Sequence, residues 1–368
     1  SYREFFHGDH DLPNVNNVGE TCVTVTWLQF NTQLLRLTGE ARFADELEKT
    51  VLNHLFGAQK PDGTAWGYYV NLQGRKSYSD TLDGHCCLSS GPRGIALIPT
   101  FATTTDGDGI VVNLYTAGRA ALALRDGSPV VLTTETRFPS EASIRITVSP
   151  ATRQSFAVKL RLPAWEREAS ARVNGRPVNL VVGGDGYAVI RRKWKRGDRL
   201  DLRLKLEPRV VVDDRYNEGR LAVQYGPLVL AADEALLETE APTLDSIWAA
   251  GPDLAALKVK PEPAPAKLRF WSGARVFRVN ARTRLSGAPR PIRLVPFADA
   301  GGRGTAYQVW LPFRPPRPDR NLLTTGVELR SRKPHVGSIL DGDLATIRAA
   351  EIIHAANQSL KALGIGWA

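Results

Sequence analysis

All three cysteines of this 368-residue chain lie in its first quarter, at Cys22, Cys86 and Cys87. A glutamate, Glu20, stands two positions before the first of them. Thiolates and carboxylates are ligands that Zn²⁺ binds, and four of them complete a tetrahedral site. No comparable group of ligating residue types follows downstream. The sequence therefore predicts a zinc–thiolate site formed by Glu20, Cys22, Cys86 and Cys87, with the rest of the chain as scaffold.

Other interpretations of these four residues stay open at this point. The separation of 64 residues between Cys22 and Cys86 matches no local zinc-ribbon spacing, and a single buried cysteine usually serves packing. An adjacent cysteine pair beside His85 favours a metal site. Four protein ligands are typical of a structural zinc, since a catalytic zinc keeps an open position.

Two helices are expected directly after Glu20. The first is marked by Val23, Trp27, Phe30, Leu34 and Leu37 and is expected to end at Gly39. At the start of this helix Glu20 and Cys22 can converge on one ion, whereas inside a helix they would point to different faces. The second helix is marked by Phe43, Leu47, Val51 and Leu55, with Gly57 as its expected end, and forms an antiparallel pair with the first.

A further helix is expected to begin at or just after the cysteine pair, because the apolar run 95–98 follows it. The dipole at a helix start lowers the pKa of a thiol. The segment 1–19 lacks periodicity and is predicted to be a polar loop, and 62–71 is predicted to be a loop-and-strand passage. Loops of this kind carry functional side chains on a rigid scaffold.

Beyond Asp106 the apolar period becomes two, which predicts an antiparallel β-sandwich over 106–250. Asn174-Gly175 predicts a type I′ hairpin turn. Residues 251–266 are rich in Pro and Ala and are predicted to be a linker, 267–314 add further strands of the sandwich region, and 315–368 form a C-terminal extension.

The formal net charge of +10 does not indicate a nucleic-acid partner. The basic residues are spread through strand-like segments with acidic residues between them, and no basic run is interleaved with aromatic residues. No apolar run reaches the roughly 18 residues that a membrane span needs.

Several short motifs together resemble those of glycoside hydrolase family 127, the β-L-arabinofuranosidase type. The motifs are Asp11-Leu12-Pro13-Asn14, Gly19-Glu20-Thr21-Cys22, the Cys86-Cys87 pair, Tyr68-Tyr69-Val70-Asn71, Tyr225-Gly226-Pro227-Leu228 and Leu294-Val295-Pro296-Phe297. The resemblance implies an α+β multidomain chain: an (α/α)6 barrel that carries the site, followed by antiparallel β-sandwich domains. Because only about three barrel helices are expected within 1–105, we interpret the chain as N-terminally truncated, with the apolar face of the first helix uncovered.

The resemblance also implies roles for individual residues. Glu20, Cys22, Cys86 and Cys87 would hold Zn²⁺, and Cys86 would be the nucleophile. Glu4, at the family's fixed distance before Glu20, would be the acid/base residue. Residues that we expect to line the sugar pocket are Asp9, His10, Tyr68, Tyr69 and His85.

The implied function is that of a retaining glycosidase that releases L-arabinofuranose, or a related sugar, from plant-type glycans. The implied partner is an oligosaccharide or glycoside substrate. Two alternatives stay open: a non-catalytic carbohydrate-binding β-sandwich protein with a structural zinc, and an inactive remnant. Within the C-terminal extension, 341–346 faintly resembles the start of a discoidin-type carbohydrate-binding module.

Overall fold

The computed structural model describes residues 13–15, 17–81, 85–213, 215–237, 243–264, 275–283 and 287–315. All of them belong to the unit that ends at Pro315. Glu4, Asp9 and His10 lie outside the described residues, as do residues 267–274 of the region expected to add further strands and residues 316–368 of the extension.

The predicted helical region contains three main helical segments. Helix α1 spans Thr21–Thr38, and α2 spans Ala41–Lys49 and continues through a π-helix, Thr50–Leu55, into a last turn, α3 (Phe56–Ala58). Helix α4 spans Cys87–Ala102, which confirms that the cysteine pair stands at a helix start. Gly39 ends α1 in the left-handed conformation, as glycine does at a helix C-terminus.

Helix α1 has two apolar faces. One is buried through Val25, Leu28 and Leu35, which pack towards α2 and α4. The predicted apolar series lies on the other face, where Val23 and Trp27 are each 43% exposed, Phe30 52% and Leu37 62%, while Leu34 is half-buried. The expectation of an uncovered face is therefore confirmed for most of the series.

The second helix extends past its predicted end. Leu47, Val51 and Leu55 are buried as expected, but Gly57 lies inside the helix. Gly57 therefore does not end the helix, and a Cβ at this position would meet the Phe297 ring at an ordinary contact distance of 3.5 Å. In the π-helical turn Asn53 bonds to Pro227 O at 2.9 Å and accepts from Val229 N at 2.7 Å, which joins the helix to the C-terminal sheet.

Twenty strands follow one another along the described chain. They are β1 (Gln73–Arg75), β2 (Thr103–Thr105), β3 (Gly109–Val112), β4 (Gly118–Ala123), β5 (Pro129–Thr136), β6 (Ser143–Pro150), β7 (Gln154–Arg161), β8 (Ser170–Val173), β9 (Arg176–Val178), β10 (Tyr187–Trp194), β11 (Asp198–Arg203), β12 (Pro208–Val212), β13 (Arg220–Tyr225), β14 (Leu228–Asp233), β15 (Trp248–Ala249), β16 (Lys260–Pro263), β17 (Arg275–Arg282), β18 (Arg290–Pro296), β19 (Ala306–Gln308) and β20 (Leu311–Pro312). Short 3₁₀ turns at Glu234–Leu236 and Leu244–Ser246 and helix α5 (Leu254–Leu257) lie between them.

Strands β2 to β11 form a two-layer sandwich. One sheet has the order β4-β5-β6-β11-β8-β9 and the other β10-β7-β3-β2. Their alternating apolar residues share one core that includes Ile146, Val158 and Trp194. The predicted turn is confirmed, since Asn174 and Gly175 both have positive φ between β8 and β9. The expectation of a wholly antiparallel sandwich is wrong in one place, because β3 and β7 pair in parallel.

The predicted domain limits need two corrections. Strands β12 to β14 lie within 106–250 but belong to a separate ten-stranded sheet, in which β13 pairs with β20 and β14 pairs with β18 and β19. The sandwich therefore ends near residue 206. The segment predicted as a linker contains α5 and β16, and β16 pairs with β17 over Lys260–Pro263. Proline is typical of linkers, and composition alone therefore predicted one here. An edge strand also tolerates proline, because the N–H groups on its outer side have no strand to pair with.

The helices pack on the ten-stranded sheet and touch the sandwich through a buried ion-pair group. Leu47 and Leu55 share a core with Val295 and Phe297. Arg161, at the end of β7, is fully buried and donates to both Asp45 and Glu48 of α2. These contacts hold α2 and its π-helical continuation against both β regions.

Among the described residues, no helix combines the length and the apolar content that crossing a membrane requires.

Candidate metal centre and active site

The four predicted ligands stand at the starts of two helices that meet. Glu20 immediately precedes α1 and Cys22 lies in its first turn, whereas Cys86 precedes α4 and Cys87 is its first residue. Gly94 permits the close approach of α4: a Cβ there would come within 2.9 Å of Val25 and 2.8 Å of Leu55.

The structure brings all four ligand side chains together. Cys22 Sγ lies 3.2 Å from Cys86 Sγ and 3.4 Å from Cys87 Sγ. One ligand atom from each of Glu20, Cys22, Cys86 and Cys87 falls within 4.8 Å of the others. Sulfurs bound to one tetrahedral Zn²⁺ at about 2.3 Å stand about 3.8 Å apart, so these sulfurs need to spread by only about half an ångström. The donor set and its spacing therefore fit a Zn²⁺ ion.

Burial of the group is uneven. Glu20 is 6% exposed and Cys87 is fully buried, Cys22 is half-buried, and Cys86 is exposed. Burial raises the pKa of the Cys87 thiol, and it also raises the pKa of Cys22. The expectation of a lowered pKa is therefore wrong for Cys87, because desolvation disfavours the charged form of a buried thiol. A bound cation supplies the opposite charge that such thiolates need.

Tyr68 lies beside the exposed sulfur. Its hydroxyl is 3.6 Å from Cys86 Sγ, and its carbonyl oxygen accepts from Thr21 N at 2.9 Å. The ring stands 4.7 Å from that of Tyr69 and 5.4 Å, edge-on, from that of His85. Both tyrosines are half-buried.

His85 serves the start of α4. The Leu88 N–H donates to both the Nδ1 and the backbone carbonyl oxygen of His85, each at 3.1 Å. Because Nδ1 accepts, the neutral ring carries its proton on Nε2. Of the predicted pocket residues, the described part of the chain thus brings Tyr68, Tyr69 and His85 to the ligand group.

Sequence reasoning missed the residues that support the ligands from behind. Thr24 Oγ1 donates to Glu20 O at 3.1 Å and lies 2.8 Å from His54 Nδ1. His54 in turn packs under Gly19, where a Cβ would come within 2.4 Å of His54 Nε2. Gly19 also has φ of 66°, so both space and backbone conformation require glycine.

Ser90 is a second supporting residue that the sequence did not single out. Its Oγ lies 3.1 Å from Cys22 Sγ. The spacing in the sequence could have identified both supporting residues. Thr24 follows Glu20 by one helical turn, and Ser90 follows Cys86 by one helical turn, so each lies on the same helix face as a proposed ligand.

Two family models match the chain. The β-L-arabinofuranosidase GH127 catalytic domain matches residues 1–100, and the GH127 middle domain matches residues 109–206. The second range agrees with the two-layer sandwich. Together the two matches cover more than half of the chain.

Comparison with individual proteins indicates the same family. A non-reducing end β-L-arabinofuranosidase from Bifidobacterium longum subsp. longum is 31% identical over 257 residues, which is 63% of this chain and 38% of that protein. The crystal structure of a GH127 β-L-arabinofuranosidase from Geobacillus stearothermophilus T6 matches with a TM-score of 0.73 and 26% identity, over 83% of this chain and 52% of its own. Another GH127 β-arabinofuranosidase structure matches with a TM-score of 0.73 and 27% identity, over 84% and 51%. The chain thus spans about half the length of these solved relatives.

Motifs, ligand geometry, domain matches and fold agree, and the chain belongs to glycoside hydrolase family 127.

Proposed function

We propose that this chain carries the zinc–thiolate active site of a retaining glycosidase that releases L-arabinofuranose, or a closely related sugar, from plant-type glycans. The observation that supports this function is the uneven burial of the ligand group. A purely structural zinc is enclosed by its ligands. Here Cys86 is exposed beside the Tyr68 hydroxyl while Cys87 and Glu20 are buried, so one sulfur can meet a substrate.

Glu20, Cys22, Cys86 and Cys87 are the residues that would hold the metal. When bound, Zn²⁺ would keep the thiols ionised at neutral pH, against the burial that otherwise raises the pKa of Cys22 and Cys87.

In the proposed first step, Cys86 Sγ attacks the anomeric carbon of the sugar. A C–S bond forms, the glycosidic C–O bond breaks, and the leaving oxygen takes a proton from the Glu4 carboxyl group. In the second step a water oxygen attacks the same carbon, Glu4 takes the water proton, and the C–S bond breaks. Two inversions give net retention, as in retaining enzymes with two carboxylates.

The substrate contacts are part of the proposal. The Tyr68 hydroxyl, 3.6 Å from Cys86 Sγ, can hydrogen-bond a sugar oxygen next to the reacting carbon, and the paired rings of Tyr68 and Tyr69 offer an apolar surface to a sugar face. Asp9 and His10 remain predictions from the polar loop that also contains Glu4. Helices α1, α2 and α4 are proposed to be C-terminal helices of an (α/α)6 barrel, which the uncovered face of α1 supports.

Hydrolysis of a panel of aryl glycosides by the zinc-loaded chain tests this function. We expect hydrolysis of the aryl β-L-arabinofuranoside, and we expect Cys86→Ser to abolish turnover because a serine hydroxyl is a poor nucleophile in this position. The matched control is Ser89→Ala, an exposed neighbour whose hydroxyl only donates to Cys86 O at 2.9 Å.

A sugar-based electrophilic probe followed by mass spectrometry checks the nucleophile directly. Label on Cys86 supports the mechanism, whereas label on Cys87 or Glu20, or turnover by Cys86→Ser, overturns it. Glycan binding by the wild-type chain without turnover of any glycoside would favour the non-catalytic alternative.

A further inference from the structure

A serine and an arginine on α4 contact the ligand group from outside it. Ser90 Oγ lies 3.1 Å from Cys22 Sγ, and Arg93 Nη2 donates to the same Oγ at 3.1 Å. Ser90 is only 4% exposed, whereas Arg93 is exposed. Within the described part of the chain, the Ser90 hydroxyl has these two partners and no other. The hydroxyl therefore connects a solvent-facing cation to the half-buried sulfur of Cys22.

The chemistry of the two contacts fixes their direction when Cys22 is ionised. A guanidinium group can only donate, so Arg93 occupies a lone pair of the Ser90 oxygen. A thiolate has no proton and can only accept. The hydroxyl proton therefore points to Cys22 Sγ, in a hydrogen bond that a charged acceptor strengthens.

The other two sulfurs have different neighbours. Cys87 Sγ lies 3.7 Å from the carbonyl oxygen of Tyr68, which cannot donate. Cys86 Sγ has the Tyr68 hydroxyl at 3.6 Å, which is 0.5 Å longer than the contact to Cys22. Cys22 is thus the sulfur with the short hydroxyl contact.

We propose that Ser90, oriented by Arg93, is a positioning residue that holds Cys22 as a non-reacting metal ligand. Its hydroxyl donates to the Cys22 thiolate and draws electron density from it, while the Arg93 charge offsets part of the net negative charge of three thiolates and a carboxylate. Donors that surround a metal ligand orient it and tune its basicity. The inference rests on the proposed function of the ligand group and assigns its sulfurs different roles: Cys22 is restrained and Cys86 is left free to react.

Ser90→Ala in the full chain is the direct test, with Ser89→Ala as the matched control because the Ser89 hydroxyl donates to the carbonyl oxygen of Cys86 instead of to a sulfur. Zinc affinity is measured by chelator competition at one pH, and the thiolate-to-metal charge-transfer band is recorded with Co²⁺. We expect Ser90→Ala to weaken zinc binding about 10- to 100-fold and to shift the band, as loss of such a donor does at other metal sites. Ser89→Ala should change neither.

Substitution of Arg93 is a second test. Because Arg93 is exposed, its replacement should leave the fold intact, so a change in zinc binding can be read directly. Arg93→Gln should weaken zinc binding about 2- to 5-fold, the size expected of an exposed charge, and Arg93→Lys should recover most of it. A purely structural role of Ser90 would lower the free energy of unfolding but leave zinc affinity and the Co²⁺ band unchanged, and that result overturns the inference. If the wild-type chain binds neither ion, the proposed metal centre fails together with this inference. If it binds both and Ser90→Ala binds equally well, only the inference fails.

Discussion

Gly91 lies flat against the indole ring of Trp66, where a Cβ would come within 2.2 Å of the ring carbons. Trp66 is only 2% exposed and cannot move aside into solvent. The contact seats the first turns of α4, and with them Cys86 and Cys87, on the segment that carries Tyr68. Gly91 is thus a packing requirement of the site and not a helix breaker.

Gly91→Ala is expected to destabilise the fold by about 1–3 kcal/mol, the usual cost of overpacking a well-packed core. Chemical denaturation followed by tryptophan fluorescence measures the change. Gly184→Ala is the control, because a Cβ at that position meets nothing within 4 Å. Equal stability of both variants would show that α4 can shift away from Trp66 without cost.

Cys87→Ala should remove most of the bound zinc. The buried thiolate is one of four ligands, and three ligands bind the ion far more weakly. Elemental analysis of purified protein measures zinc content, and circular dichroism checks that the sandwich over residues 103–206 stays folded. Full zinc occupancy in Cys87→Ala, or a wild-type chain free of zinc, would refute the four-ligand assignment.

Glu4→Gln should slow hydrolysis most for substrates with poor leaving groups. A glutamine cannot protonate the departing oxygen, and only a poor leaving group needs that proton. Comparison of kcat/KM for aryl glycosides of increasing leaving-group pKa gives the dependence, which should steepen in the variant. An unchanged slope would remove Glu4 from the acid role.

The stability of the chain should fall between about pH 6.5 and pH 4. Burial, reinforced by the charge on Lys76, lowers the pKa of His54 from 6.5 to about 4. In this range the unfolded chain binds a proton that the folded chain does not, so acid favours unfolding, by up to about 3 kcal/mol once the pH reaches 4. His54→Gln should show a smaller loss over the same interval in urea denaturation. Parallel pH curves for the two proteins would exclude His54 as the source.

The uncovered face of α1 should drive self-association of the isolated chain. Trp27 is 43% and Phe30 52% exposed, with ring centres 5.9 Å apart, so apolar area faces water next to the site. Trp27→Glu with Phe30→Glu should reduce association in analytical ultracentrifugation. Val181→Glu, at a residue 67% exposed on the sandwich, should not. A monomeric wild-type chain with a cooperative thermal transition would contradict this expectation.

The local signals in the sequence proved reliable where a structure depends on a few neighbouring residues. Helical spacing after Glu20 predicted α1, the position of the cysteine pair predicted the start of α4, and Asn174-Gly175 predicted its hairpin, because caps and turns are set by the backbone preferences of a few residues. The four proposed ligands were named from their residue types and from the resemblance to the family motifs, and the structure brings these four side chains together.

Only the tertiary structure decided features that depend on distant partners. Strands β13 and β14 directly follow the sandwich in sequence but pair with β18, β19 and β20, and the apolar content of a strand does not specify its partner. The pKa of Cys87 rises chiefly because the thiol is buried, and the sequence does not display burial. Ser90 came to the site for the same reason: its contact with Cys22 crosses 68 residues, and it forms only when α1 and α4 pack together.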